Sequence, residues 1–327
     1  MAFEKKINEL KNTTTTSIDL SYDNINDEDI KVLANFLKIN ESLTSINLSR
    51  NHISAEGAKT LSEALKANKF LTSINLKNNK ISDEGVQALA EALKVNTSLS
   101  SIDLSYNEIS SKSTPILAEV LKVNKSLTSV NLSFNEISTA QTIAEALKDN
   151  TYLSSMDLSY NSIGDDVLNA IANVLKINKS LASINLSYNF ISDEGVKALA
   201  EALKVNKFIN SINLSFNEIS NEGIKALDEA LKVNKSITSI ALEYGNYDNI
   251  DLKLISQINI SLEKNKKEHL NIKKTSETLL MAKKEKGSVF HQLPKFVFFK
   301  ILAASHQNTE AKEYNEFTSY MASRNGI

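Results

Sequence analysis

Residues 126–138 read SLTSVNLSFNEIS. Nearly the same thirteen letters stand at 42–54 (SLTSINLSRNHIS), at 98–110 (SLSSIDLSYNEIS) and at 180–192 (SLASINLSYNFIS). Aligned on the first apolar letter, the phrases fall at Thr15, Leu43, Leu71, Leu99, Leu127, Leu153, Leu181, Ile209 and Ile237. Seven of the eight steps are 28 residues, and the step from Leu127 to Leu153 is 26. A fixed period sustained over residues 13–265 marks a repeat architecture, in which each unit buries its apolar face only against its neighbours. One unit reads L-x-x-I-x-L-x-x-N-x-I, as in Leu99, Ile102, Leu104, Asn107 and Ile109. Its I-x-L core alternates with period two, which is a strand. Val86, Leu89, Ala90 and Leu93 follow at the i, i+3, i+4, i+7 spacing of one helix face. Each unit is therefore strand, turn, helix, turn.

This pattern resembles the leucine-rich repeat family over about three quarters of the chain. The 28-residue period and the A-L-x-x-A-L helix are most similar to the ribonuclease-inhibitor-like class, also found in NLR receptors and in the Ran GTPase-activating protein. The resemblance implies an α/β fold: a curved solenoid with a parallel sheet on the concave face and helices on the convex one. Elementary dimensions ask for the same bend, because strands stack about 4.8 Å apart whereas helices need about 10 Å. The expected organisation is an N-terminal capping helix over 1–14, a repeat solenoid with a terminal capping helix over 15–265, and a basic helical segment over 266–327.

Most of the constant letters have structural work. Asn51, Asn79, Asn107, Asn135, Asn161, Asn189 and Asn217 stand where each strand turns away, with Asp23 and Gly245 in the end units. A side-chain amide there has donors and an acceptor for backbone groups that the turn leaves unpaired, so the seven are expected to stack as a ladder. A second set, Asn40, Asn68, Asn96, Asn124, Asn150, Asn178, Asn206 and Asn234, follows each helix in L-K-x-N. It is expected to close the helices in the left-handed conformation that Asn tolerates. Ser82-Asp83-Glu84 and its equivalents suit helix starts.

The chain has no Cys. That excludes disulfide frameworks, Cys-rich zinc sites and a thioester-forming ubiquitin ligase, a function that some bacterial leucine-rich-repeat effectors carry. No apolar run reaches the roughly 20 residues of a membrane span. MAFEKKINELKN has no apolar signal region, so a cytoplasmic setting is expected, with signal-less export of an effector as the alternative. Residues 1–263 carry 25 basic and 33 acidic side chains, and residues 264–327 carry 12 and 6. The acidic balance of the solenoid argues against nucleic acid as a partner.

Chemistry is sparse. His52, His269, His291 and His306 share no metal or triad spacing, and there is no Gly-rich phosphate loop. Asp103 and Asp157 stand two strands apart, about 10 Å, too far to share one cation. No catalytic residue, metal or cofactor is expected. In the C-terminal segment, Leu293, Pro294, Ile301 and Leu302 resemble the L-P-x6-I-L spacing of an F-box, although Phe296 takes the place of the usual acidic residue. The same stretch also reads as a helix packed on the cap or as a basic-aromatic membrane-surface helix.

The outward positions form columns across the sheet. The first is Ser throughout, the second Asp or Asn until Ala241, and the third Ser except Lys77 and Glu243. The fourth is the letter that changes: Tyr22, Arg50, Asn78, Tyr106, Phe134, Tyr160, Tyr188, Phe216 and Tyr244. Six successive aromatics beside small polar columns make a surface suited to a partner, since Tyr and Phe offer large contact area at low entropy cost. The competing reading is an aromatic stack that shields the turns. Arg50, His52, Lys77 and Lys80 form a basic corner, whereas Glu108, Glu136 and Glu218 follow in later units, a change of sign that would orient a polar partner.

The expected function is a non-enzymatic protein–protein interaction scaffold. It holds a protein or peptide through Tyr106, Phe134, Tyr160, Tyr188, Phe216, Tyr244, Arg50, Lys77 and Lys80. The alternatives are a substrate adaptor recruiting ubiquitin-ligase machinery through the F-box-like segment, and a GTPase-activating or regulatory protein. The sequence leaves the partner and the oligomeric state open.

Overall fold

The computed structural model describes residues 2–10, 14–243 and 250–284. Nine three-residue strands among these residues form one parallel sheet in sequence order. They are β1 (Ser17–Asp19), β2 (Ser45–Asn47), β3 (Ser73–Asn75), β4 (Ser101–Asp103), β5 (Ser129–Asn131), β6 (Ser155–Asp157), β7 (Ser183–Asn185), β8 (Ser211–Asn213) and β9 (Ser239–Ala241). Every pairing is in register, repeat on repeat, from Ser17 opposite Ser45 to Ser211 opposite Ser239. The helices between them are α2 (Asp27–Ile39), α3 (Ala55–Ala67), α4 (Ser82–Leu93), α5 (Thr114–Val123), α6 (Gln141–Ala146), α7 (Asp165–Leu175), α8 (Asp193–Val205) and α9 (Asn221–Val233). Short α6 carries the two-residue deletion that made one sequence step 26 instead of 28.

The core is a continuous seam between sheet and helices. Each unit contributes strand residues such as Leu43, Ile46 and Leu48 and helix residues such as Ala58, Leu61 and Leu65, all buried. The open ends are covered. At the first, α1 (Ala2–Leu10) buries Ile7 and packs Phe3 and Leu10 on the core, and Lys6 pairs with Asp23 at 2.5 Å. At the other, α10 (Leu252–Lys284) buries Ile258 and Leu262. This helix runs without a break across 265/266, where the sequence suggested a boundary, because nothing between Asn265 and Lys284 interrupts it: no Gly or Pro stands there.

Three ladders tie repeat to repeat. In the first, each strand-end asparagine bonds back to the preceding repeat through both ends of its amide. Asn51 Nδ2 donates to Leu20 O and Leu48 O, both at 2.9 Å, while its Oδ1 accepts from Ile25 N at 3.0 Å. In the second, the asparagines after the helices differ from expectation. Asn68 and Asn206 are extended, at φ −70° with ψ 132° and 135°, not left-handed. The reason is a bond rather than a backbone preference. Asn68 Nδ2 reaches Leu37 O of the preceding repeat at 2.7 Å, and its Oδ1 accepts from Phe70 N and Leu71 N at 2.9 and 2.7 Å.

The third ladder joins helix starts. Asp27 accepts from Ser54 N at 2.9 Å and Ser54 Oγ at 2.5 Å, and Asp83, Asp165 and Asp193 do the same for Ser110, Ser192 and Ser220. Ser82 departs from this scheme. Ala55 in the preceding repeat offers it no carboxylate, its φ is 56°, and its hydroxyl donates to Glu84 instead of capping the helix.

Candidate functional site

The second outward column is partly consumed by the fold. Asn47 Oδ1 accepts from Ser49 N at 3.1 Å, and Asp103 Oδ1 accepts from Ser105 N at 2.9 Å and Ser105 Oγ at 2.6 Å. These bonds draw the third column inward. Ser49, Ser105, Ser133, Ser159, Ser187 and Ser215 are buried and present no surface, contrary to the columnar reading of the sequence. Asp103 and Asp157 also tie repeats together. Each accepts from the next repeat, from Asn131 Nδ2 at 3.1 Å and from Asn185 Nδ2 at 2.9 Å. No group of side chains suited to a metal ion occurs among the described residues.

The fourth column has a backbone property that the sequence reading missed. Tyr22, Arg50, Asn78, Tyr106, Phe134, Tyr160, Tyr188 and Phe216 all lie at φ between 54° and 59°. This left-handed region costs a side chain with a Cβ about 1–2 kcal/mol and is the place for Gly or Asn. Asn78 alone conforms. The conformation lets each backbone N–H continue the parallel ladder past the strand, as in Phe134 N donating to Ser159 O at 2.9 Å.

The rings form one stack. Centroid separations are 3.9 Å for Tyr106–Phe134, 3.7 Å for Phe134–Tyr160, 3.9 Å for Tyr160–Tyr188 and 4.2 Å for Tyr188–Phe216, with planes 15–16° apart. Strands in a sheet are about 4.8 Å apart, so the rings converge, as expected on the inside of a curve. Stacking uses the ring faces, and edges and hydroxyls are what remain for solvent. Burial pushes the Tyr160 hydroxyl up to about 12, helped by its hydrogen-bonding interaction with Tyr188 and by the charges of Tyr188 and Tyr106.

The cations of the basic corner sit at the end of this row. Lys77 Nζ lies 5.4 Å from the Tyr106 ring centroid, and the Arg50 guanidinium carbon 4.8 Å from that of Tyr22. Lys80 and His52 are exposed one position beyond the ladder asparagines. In that same column Phe190 is 60 % exposed. Together with Tyr106, Phe134, Asn135, Tyr160, Ser162 and Tyr188 it lines an open groove of about 390 Å³. Phe190 belongs to the candidate site although the sequence reading passed over it. The signal was available, since it replaces a polar residue at one position of a nearly constant phrase. Tyr244 and the F-box-like Leu293, Pro294, Ile301 and Leu302 lie outside the described residues.

A family model described as Leucine Rich repeat matches the sequence seven times, at residues 40–62, 67–90, 95–113, 123–140, 149–172, 178–200 and 205–227. The chain is a leucine-rich repeat protein. Its repeats form a protein-interaction scaffold. Among solved structures it is similar to leiomodin-1 actin-binding site 2, at 23% identity and a TM-score of 0.45, covering 51% of this chain and 95% of that one. It is also similar to the tropomodulin C-terminal domain of Caenorhabditis elegans, at 16% identity and a TM-score of 0.44, covering 50% and 98%. LegL7 of Legionella pneumophila, a leucine-rich repeat-containing protein, is 22% identical with a TM-score of 0.42, covering 77% and 93%. The sequence has no match among the curated proteins.

Proposed function

We propose that this leucine-rich repeat protein is a non-enzymatic scaffold that holds an extended protein or peptide segment along the aromatic rim of its concave face. The supporting observation is the cost of the row. Five consecutive bulky rings occupy left-handed backbone where Gly or Asn would be unstrained. Strain of this kind gathers where a surface is shaped for a ligand. Inter-ring contact offsets part of it, at about 0.5–1.5 kcal/mol per pair. It does not explain Phe190, which stands outside the stack and in solvent. Beside the rings, Glu108 and Glu136 give the groove an acidic margin, and Arg50, Lys77 and Lys80 give its far end a basic one. A segment with a basic residue toward Glu136 and an acidic one toward Lys80 would bind in one direction only.

A phage-displayed peptide library panned on the full chain tests this. Enriched peptides should share apolar residues flanked by opposite charges, and they should lose binding to Phe190→Ser while that variant melts like the parent. Enrichment of the same peptides by Phe190→Ser and by a Lys77→Glu, Lys80→Glu variant would place the binding surface elsewhere.

A further inference from the structure

The two rims of the solenoid carry opposite charge. Successive strands are parallel and in register, so equivalent residues of each repeat lie at one height along the strand direction. Equivalent residues of successive repeats therefore gather along one rim. The rim where strands lead into helices comprises eight seven-residue turns, the first starting at Tyr22 and the last at Phe216. They hold fourteen carboxylates against Arg50, Lys80 and Lys112. The opposite rim, where helices return to strands, comprises residues 38–42, 66–70, 94–98, 122–126, 148–152, 176–180, 204–208 and 232–236. It holds thirteen lysines against Glu41 and Asp149.

On this basic rim the residue before the helix-end asparagine projects outward. Ile39, Val95, Val123, Ile177, Val205 and Val233 are 50–71 % exposed. Lysines stand on both sides of Val123, Ile177, Val205 and Val233, and Lys38 and Lys94 precede Ile39 and Val95. Those ending the helices are partly compensated, since Lys66, Lys94, Lys204 and Lys232 pair with a glutamate one turn earlier. The loop lysines Lys125, Lys179 and Lys207 form no ion pair among the described residues. Lys69 and Lys235 donate only to helix-end carbonyls.

We propose that the basic rim docks on an anionic bilayer, with its lysines among the lipid phosphates and its aliphatic side chains entering the interface. Charge complementarity selects the surface, and the level row of aliphatics beside the lysines is the pattern that interfacial binding uses. By charge alone a second copy could offer its acidic rim. Nine of those fourteen carboxylates are engaged already: Asp27, Asp83, Asp165 and Asp193 by the serines of the next repeat, Glu84 by Ser82, and the other four, Glu28 and Glu222 among them, by lysines. No described helix is long and apolar enough to cross a membrane, and the contact proposed is peripheral. It would leave the aromatic row, at the other rim, facing away from the lipid.

Sedimentation of the full chain with vesicles of phosphatidylcholine plus phosphatidylserine, and of phosphatidylcholine alone, tests the proposal. Binding should require the anionic lipid and weaken with salt. The variant Lys125→Gln, Lys179→Gln, Lys207→Gln should lower partitioning about a hundredfold, at about fivefold per lysine. Val123→Ser with Ile177→Ser, which leaves the charge unchanged, should lower it about tenfold. All five positions are solvent-facing, so both variants should melt like the parent. Equal binding to both vesicle types would overturn the proposal. So would unchanged binding of the triple lysine variant, which would assign the contact to the basic segment 264–327. Absence of vesicle binding together with low-salt dimers that the lysine changes abolish would give the rim to a second copy instead.

Discussion

Replacing Asn135 by alanine removes five contacts from the middle of the solenoid. Its Nδ2 donates to Leu104 O, Leu132 O and Ser133 O at 3.1, 3.0 and 3.2 Å, and its Oδ1 accepts from Asn107 N and Ile109 N at 3.0 and 3.1 Å. The carbonyls lose least, because each has a second lone pair. The two N–H groups of the preceding repeat are left without a partner at a buried site, at about 1–3 kcal/mol each. Water entering the space of the lost amide recovers part of that, so the expected loss is about 2–4 kcal/mol. Urea unfolding followed by circular dichroism reads it as a lower midpoint at unchanged slope. The control is Glu136→Ala next door, whose exposed side chain makes no hydrogen bond or ion pair among the described residues and should cost within about 0.5 kcal/mol. Equal midpoint shifts for the two variants would refute the assignment of the ladder as the tie between repeats.

Three further outcomes are expected. Phe134→Gly should be more stable than Phe134→Ala by about 1 kcal/mol, because φ is 54° there and only glycine is at ease in it; the reverse order in thermal melts would deny the strain. Gly195→Ala would set a Cβ against the Asp165 carboxylate that holds Ser192, and should destabilise by about 1–3 kcal/mol. In an Asp165→Ala background the same change should cost far less, and additivity in that double-mutant cycle would count against the contact. The phenol of Tyr160 is held neutral up to about 12, above its ordinary 10.0. Its contribution to stability is thus complete below pH 10 and lost as pH rises toward 12. A late phenolate absorbance step should vanish in Tyr160→Phe, and a step near 10 for every tyrosine would contradict the stacked environment.

Periodicity made the architecture legible. The strand and helix faces, the strand-end Asn positions and the capped ends all follow from apolar spacing and from what a short side chain can bond. What stayed hidden was set between repeats or by dihedral angle. The asparagines after the helices read as left-handed closures because Asn suits that role locally; Leu37 O, a full repeat away, holds Asn68 in an extended conformation instead. Ser105 reads as an outward residue by alternation, yet Asp103 folds it under the turn. The aromatic row was visible as letters, but not the left-handed backbone beneath it, since Tyr and Phe are the last residues expected there. Stacking also changes how the row should be tested. Phe134 and Tyr160 are sandwiched on both faces, so their removal perturbs stability as well as binding, and Phe190 is the cleaner probe.

The central claim is that a partner lies along the aromatic rim. A benzophenone side chain placed at Phe190, and separately at Gln87 on the exposed surface of α4, allows photo-cross-linking in a cell extract. The account predicts one or a few protein adducts at Phe190, lost when Lys77 and Lys80 are changed to Glu, and none of the same adducts at Gln87. The same proteins captured at Gln87 and not at Phe190 would contradict it, and would move the binding surface to the convex face.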